Sequence, residues 1–127
     1  MGSKKRNNEV LKAVMGTADK IKSAKYNVGE VVRHRHYGFR GVVFDIDPTF
    51  DNTEEWLLAI PEEIRPDREQ PFYHLLAENA DSEYIAYVSE QNLVIDQTGT
   101  PLRHPQIEEL FHQDEEGQFQ PLFLQAH

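Results

Sequence analysis

The sequence contains no cysteine. A disulfide framework, a thiolate metal centre and a cysteine nucleophile are therefore excluded. Long apolar runs are also missing. The longest, such as Trp56 to Ile60, fall far short of the ~20 residues needed to cross a bilayer. No apolar stretch follows the basic N-terminus, so no secretory leader is expected. There is no glycine-rich phosphate loop, and no lysine follows Lys25. These absences lead to an expectation of a soluble, cytoplasmic protein with no membrane partner.

What is present fits one folded domain. The chain has 127 residues, within the usual size of a single core. Thirteen aromatic residues are too many for a wholly disordered chain. The net charge is -9, unevenly spread. Residues 1–25 carry seven basic and two acidic side chains, a net of +5. Residues 26–95 carry -9 and residues 96–127 carry -5. Such asymmetry suggests an arm with its own role.

The basic segment has a helical stripe at Val10, Leu11, Val14, Ala18 and Ile21, interrupted at Gly16. Met15 offers an alternative start. The middle of the chain reads as β-rich. A strand-like stretch through Val31 to His36 meets a turn signal at Tyr37-Gly38. Arg40 to Asp47 then alternates, with Val42, Phe44 and Ile46 on one face and Val43, Asp45 and Asp47 on the other. Pro48 ends it. Asp51 with Glu54, or Thr53 with Trp56, offers an N-cap for a short helix that Pro61 stops, and Glu62, Glu63 and Ile64 can form one more turn before Pro66. Phe72–Ala77 and Glu83–Ser89 read as a hairpin, followed by a short strand at Leu93–Ile95. A further helix signal runs from His104 to Phe111. Five short strands without crossover helices predict a small closed barrel rather than a parallel sheet.

Catalytic constellations are sparse. His34 and His36 could chelate a metal from one strand face, but no third ligand is near and Arg33 and Arg35 would repel a cation. Asp45-Ile46-Asp47 begins like a calcium loop, yet Thr49 and Phe50 stand where that loop needs an oxygen ligand and a glycine. No metal, no cofactor and no catalytic residue is expected. An enzyme using His74 or His34 as a base is the least favoured reading. One cluster stands out: Arg33, Arg35 and Arg40 around the Tyr37-Gly38-Phe39 turn. Arg33 and Arg35 share a strand face and could hold phosphate, or could pair with the chain's own acids.

Three blocks carry a resemblance. They are Val31-Val32-Arg33-His34 with Gly38 to Pro48, Gln70 to Glu78, and Tyr84 to Leu93. Together they resemble, in order, the heat-shock protein HspQ family, also called the YccV-like hemimethylated-DNA-binding family. The resemblance implies a mainly β protein: a small SH3-like antiparallel barrel over residues 25–112 with one or two short helices. Outside it lie a basic, helical or disordered extension (1–24) and an acidic tail (113–127). It also implies a homo-oligomer with two activities. One is that of a specificity-enhancing factor for the ATP-dependent Lon protease, as both substrate and activator. The alternative is binding of hemimethylated DNA with an influence on the replication initiator. The expected nucleic-acid contacts are Arg33, Arg35 and Arg40. The expected partner contacts are Trp56, Tyr73, Phe119 and Phe123.

Overall fold

The computed structural model describes residues 24–122. The helical stripe over Val10–Ile21 and the residue Phe123 lie outside them. β1 (Val31–His34) and β2 (Arg40–Asp47) form a hairpin. Thr53 then caps α1 (Glu54–Leu58), its hydroxyl oxygen accepting the Trp56 N–H at 3.0 Å. A single 3-10 turn follows at Glu62–Ile64. β3 (Phe72–Glu78) and β4 (Glu83–Ser89) make the second hairpin, whose loop is tied by the Asn79 side chain accepting from the Asp81 and Ser82 N–H groups. A 3-10 turn at Glu90–Asn92 leads into β5 (Leu93–Ile95). α2 (Ile107–Leu110) and a small hairpin, β6 (Phe111–Gln113) and β7 (Phe119–Pro121), complete the described chain.

The expected barrel is not what forms. The strands make an open five-stranded antiparallel sheet in the order β4-β3-β2-β1-β5, with β6-β7 as a separate two-stranded sheet. Closure would require the edges β4 and β5 to pair, and no such ladder exists. β5 has only three residues, all spent on β1. The flank of β4 instead borders a groove whose other wall is α1 and residues 60–66. Local alternation cannot distinguish the two outcomes, because each strand looks the same in an open or a closed sheet.

The sheet is covered on both faces. One face holds Tyr26, Val32, Val43, Tyr73, Leu75, Ala77, Val88 and Leu93. The other holds Val42 and Leu76 beneath Ile107 and Phe111 from the C-terminal elements. Val42 and Val43 are therefore both fully buried, where alternation predicted a half-buried strand. Gly41 lies where the strands crowd. A Cβ there would stand 2.8 Å from the Leu76 carbonyl oxygen, so only glycine fits without a backbone shift.

A bulge changes the rest of β2. Val43 pairs with Leu75, but Asp45 pairs with His74, which leaves Phe44 as the extra residue. Such an insertion re-aims every side chain beyond it. Asp45 and Asp47 consequently lie on the face of Val42, not on that of Val43 as the period predicted.

Candidate functional site

The arginine cluster around the β1–β2 turn separates into two populations. Arg33 and Arg40 converge on one carboxylate, Asp96, just after β5. The Arg33 guanidinium lies 3.1 Å from one Asp96 oxygen and the Arg40 guanidinium 3.1 Å from the other. Arg40 also donates to the Thr100 carbonyl at 2.9 Å and lies 3.7 Å from the buried Glu78 carboxylate. Arg103 closes the network, bonding Glu78 at 2.9 Å and Glu83 at 2.9 Å. Burial would raise the Asp96 pKa. Hydrogen bonds from the Thr98 hydroxyl, Arg40 and Arg33 outweigh it and hold the carboxyl below its usual range. These two arginines are structural clamps, and the reading that they pair with the chain's own acids holds for them.

Arg35 differs. It is exposed and makes no ion pair among the described residues. The cause lies in His34, the last residue of β1. Its Nδ1 accepts the backbone N–H groups of His36 at 3.1 Å and Tyr37 at 3.0 Å, and its ring stacks on Tyr37 at 4.6 Å. That capture ends the strand, so Arg33 and Arg35 do not share a strand face. His34 is buried at 6 % exposure. Burial, and secondarily the neighbouring His36, pushes its pKa down and keeps the ring neutral. His34 Nδ1 is thus committed to the backbone and is not offered to a metal shared with His36.

The backbone N–H of Arg35 donates to the Asn92 carbonyl at 2.7 Å, and that of Lys25 to the Glu90 carboxylate at 3.0 Å. The backbones of both residues thus lie beside the Glu90–Asn92 turn. Lys25 is also the last residue of the segment carrying +5.

The expected partner contacts also divide. Tyr73 is fully buried, donates its hydroxyl to Glu90 at 2.7 Å and meets Tyr26 edge-on at 5.5 Å, so it belongs to the core. Burial and the Glu90 bond push its phenol well above the usual value. Phe119 stands edge-on to Phe111 at 5.9 Å over the second core. Phe119 also borders a cavity of about 730 Å³ lined by residues 99–105 and α2, and Trp56 reaches a second surface feature. It packs against Phe50 and Tyr87 and lines a groove of about 680 Å³ beside β4, with Tyr37, Phe39, Ile64, Tyr84 and Ala86. The sequence reading missed Asp96, because no local pattern ties it to Arg33, which lies 63 positions away. It also missed the groove, whose exposed Tyr37, Ile64 and Ile85 come from three separate segments.

What the fold and this surface define is a small, sheet-based binding domain. The chain belongs to the YccV-like family: the description "Hemimethylated DNA-binding protein YccV like" matches residues 24–118. It is a family of binding proteins rather than enzymes. Among curated relatives, F-box only protein 21 of Mus musculus is 26% identical over 109 residues, 85% of this chain and 17% of the relative. F-box only protein 21 of Homo sapiens is 28% identical over 94 residues, 73% of this chain and 14% of the relative. The chain therefore spans about a sixth of the length of these relatives. Among the described residues, no helix is long and apolar enough to cross a membrane.

Proposed function

We propose that this chain binds DNA at the corner formed by the β1–β2 turn and the Glu90–Asn92 turn. The observation that carries the reading is that Arg35, with no ion pair among the described residues, and Lys25, the last residue of the +5 segment, are both anchored by their backbone N–H groups to the Glu90–Asn92 turn. Arg33 and Arg40 are less available than Arg35, because both share Asp96 and Arg40 also faces Glu78. The family description supplies hemimethylated duplex as the ligand to test first. Residues 26–127 carry -14, so binding must rely on a local patch and fall steeply with salt. The test is a titration of hemimethylated, fully methylated and unmethylated duplexes at several salt concentrations. Tighter binding of the hemimethylated form is expected. Equal, weak affinity for all three would reduce the interaction to counterion attraction.

A second reading is regulation of proteolysis through the Lon protease, supported by the aromatic-lined groove beside the unpaired edge of β4. An open strand edge and an apolar groove suit an extended peptide. A time course of substrate degradation by Lon, with and without this protein, tests it. Unchanged loss of several substrates, and of this protein itself, would remove that reading.

A further inference from the structure

On the face of the sheet that carries Val42, away from the proposed DNA corner, Asp45, Asp47 and His74 converge. Their ligand atoms, two carboxylate oxygens and one imidazole nitrogen, all lie within 4.8 Å of one another. The bulge after Val43 is what gathers them. Without it the two aspartates would face the opposite core; with it Asp45 sits directly across from His74.

The site is built on three strands. His74 Nε2 lies 2.9 Å from Asp47 Oδ2. The Tyr87 hydroxyl of β4 donates to the same oxygen at 3.1 Å and accepts the Asp51 N–H at 2.8 Å. Tyr87 and Phe44 wall the imidazole at ring distances of 4.8 and 5.8 Å. The Asp47 and His74 side chains are 17% and 28% exposed, whereas Asp45 is exposed and closes the group from the solvent side. Neither aspartate pairs with an arginine or lysine among the described residues. Two carboxylates therefore face one imidazole with no nearby cation to compete.

We propose that Asp45, Asp47 and His74 form a binding site for a divalent transition metal, with zinc held more tightly than manganese and water completing the coordination. One nitrogen and two oxygen donors suit such ions. Calcium and magnesium prefer all-oxygen shells, so the imidazole selects against them. Ligands about 2.1 Å from a tetrahedral ion stand roughly 3.4 Å apart. The exposed Asp45, whose Oδ1 accepts the Ile46 N–H at 2.9 Å, is the ligand that would turn to reach that spacing. The ion displaces the contact between His74 Nε2 and Asp47, and the imidazole proton then resides on Nδ1. Tyr87 acts behind the ligands, orienting Asp47 as outer-shell partners do. The bound ion would tie β2 to β3 at the bulge and, through Tyr87, to β4.

The test uses the full chain, zinc and manganese, calorimetry and the histidine side-chain resonances. One equivalent of zinc is expected to bind, with His74 moving to the Nε2-ligated, Nδ1-protonated pattern and with manganese binding more weakly. His74→Gln, whose amide can still donate to Asp47, and the exposed Asp45→Asn should each lower zinc affinity by at least about tenfold while the fold is kept by circular dichroism. Tyr87→Phe should cost about tenfold. Zinc binding that is as tight in His74→Gln and Asp45→Asn as in the parent, or that leaves the His74 resonances in place, would overturn the assignment in favour of adventitious binding at other histidines.

Discussion

Arg33 and Arg35 stand two residues apart, yet they belong to different parts of the molecule. Arg33 is still in β1, and its guanidinium reaches across β5 to Asp96. Arg35 follows the residue that ends the strand and projects into solvent at the Glu90–Asn92 corner. The difference teaches that an arginine cluster in sequence is not a charged patch in space. Whether a guanidinium is available depends on whether a carboxylate already lies within reach, and that carboxylate comes from distant chain.

The comparison is broken most severely at Asp96. Its side chain is only 3% exposed between two guanidinium groups. Asp96→Ala should destabilise the fold by about 3 kcal/mol, because it leaves partly buried cations without their counter-charge. Urea unfolding measures this. If the loss were below about 0.5 kcal/mol, Arg33 and Arg40 would have to be reclassed as surface charges like Arg35. Arg40→Ala comes next, at about 2 kcal/mol, since Asp96 keeps Arg33 and Glu78 keeps Arg103.

Acid sharpens the same contrast. Asp96 has a folded pKa held below its usual value, so its contribution is present above about pH 4 and is lost as pH falls through the folded value. His34 also has a lowered pKa, because a buried neutral ring resists protonation. Its contribution is present above about pH 6.5 and is lost as pH falls through its own folded value. His34→Asn retains an acceptor for the His36 and Tyr37 N–H groups but cannot titrate. Melting temperatures between pH 7.5 and 5 should fall less steeply in this variant than in the parent. An unchanged slope would mean that other groups set the pH response.

The smallest effect on stability is expected at the other arginine. Arg35→Ala should change unfolding free energy by less than about 0.5 kcal/mol. On the proposed DNA contact it should act clearly, weakening duplex binding and lowering the salt slope by about 0.9. Arg33→Ala should show the reverse pattern: a stability loss with an unchanged salt slope. Equal salt slopes in the parent and Arg35→Ala would remove Arg35 from the interface.

Much of the local structure was legible. The boundaries of β4 and β5 follow from alternation and flanking turn residues, and β3 extends one residue further, to Glu78. The stop at Pro61 and the turn before Pro66 were also readable, because each depends on neighbours within four residues, whereas the cap was narrowed only to Asp51 or Thr53. The sites were less legible. Tyr73 and Trp56 look alike as lone aromatics, but one fills the core and the other lines the groove. Nothing in Arg40 to Asp47 announces that Phe44 is an extra residue, so the faces of Asp45 and Asp47 were read in reverse.

By itself the sequence determined the family, the hairpins, the helix stop at Pro61 and the uneven charge, since these rest on short-range geometry and composition. Only the tertiary structure decided that the sheet stays open, that both its faces carry a core, that Asp96 and Glu78 engage two of three arginines and that a bulge gathers Asp45, Asp47 and His74. Each of those outcomes depends on which distant segments meet. A strand's local pattern constrains its own two faces, but it carries no record of what will be packed against them.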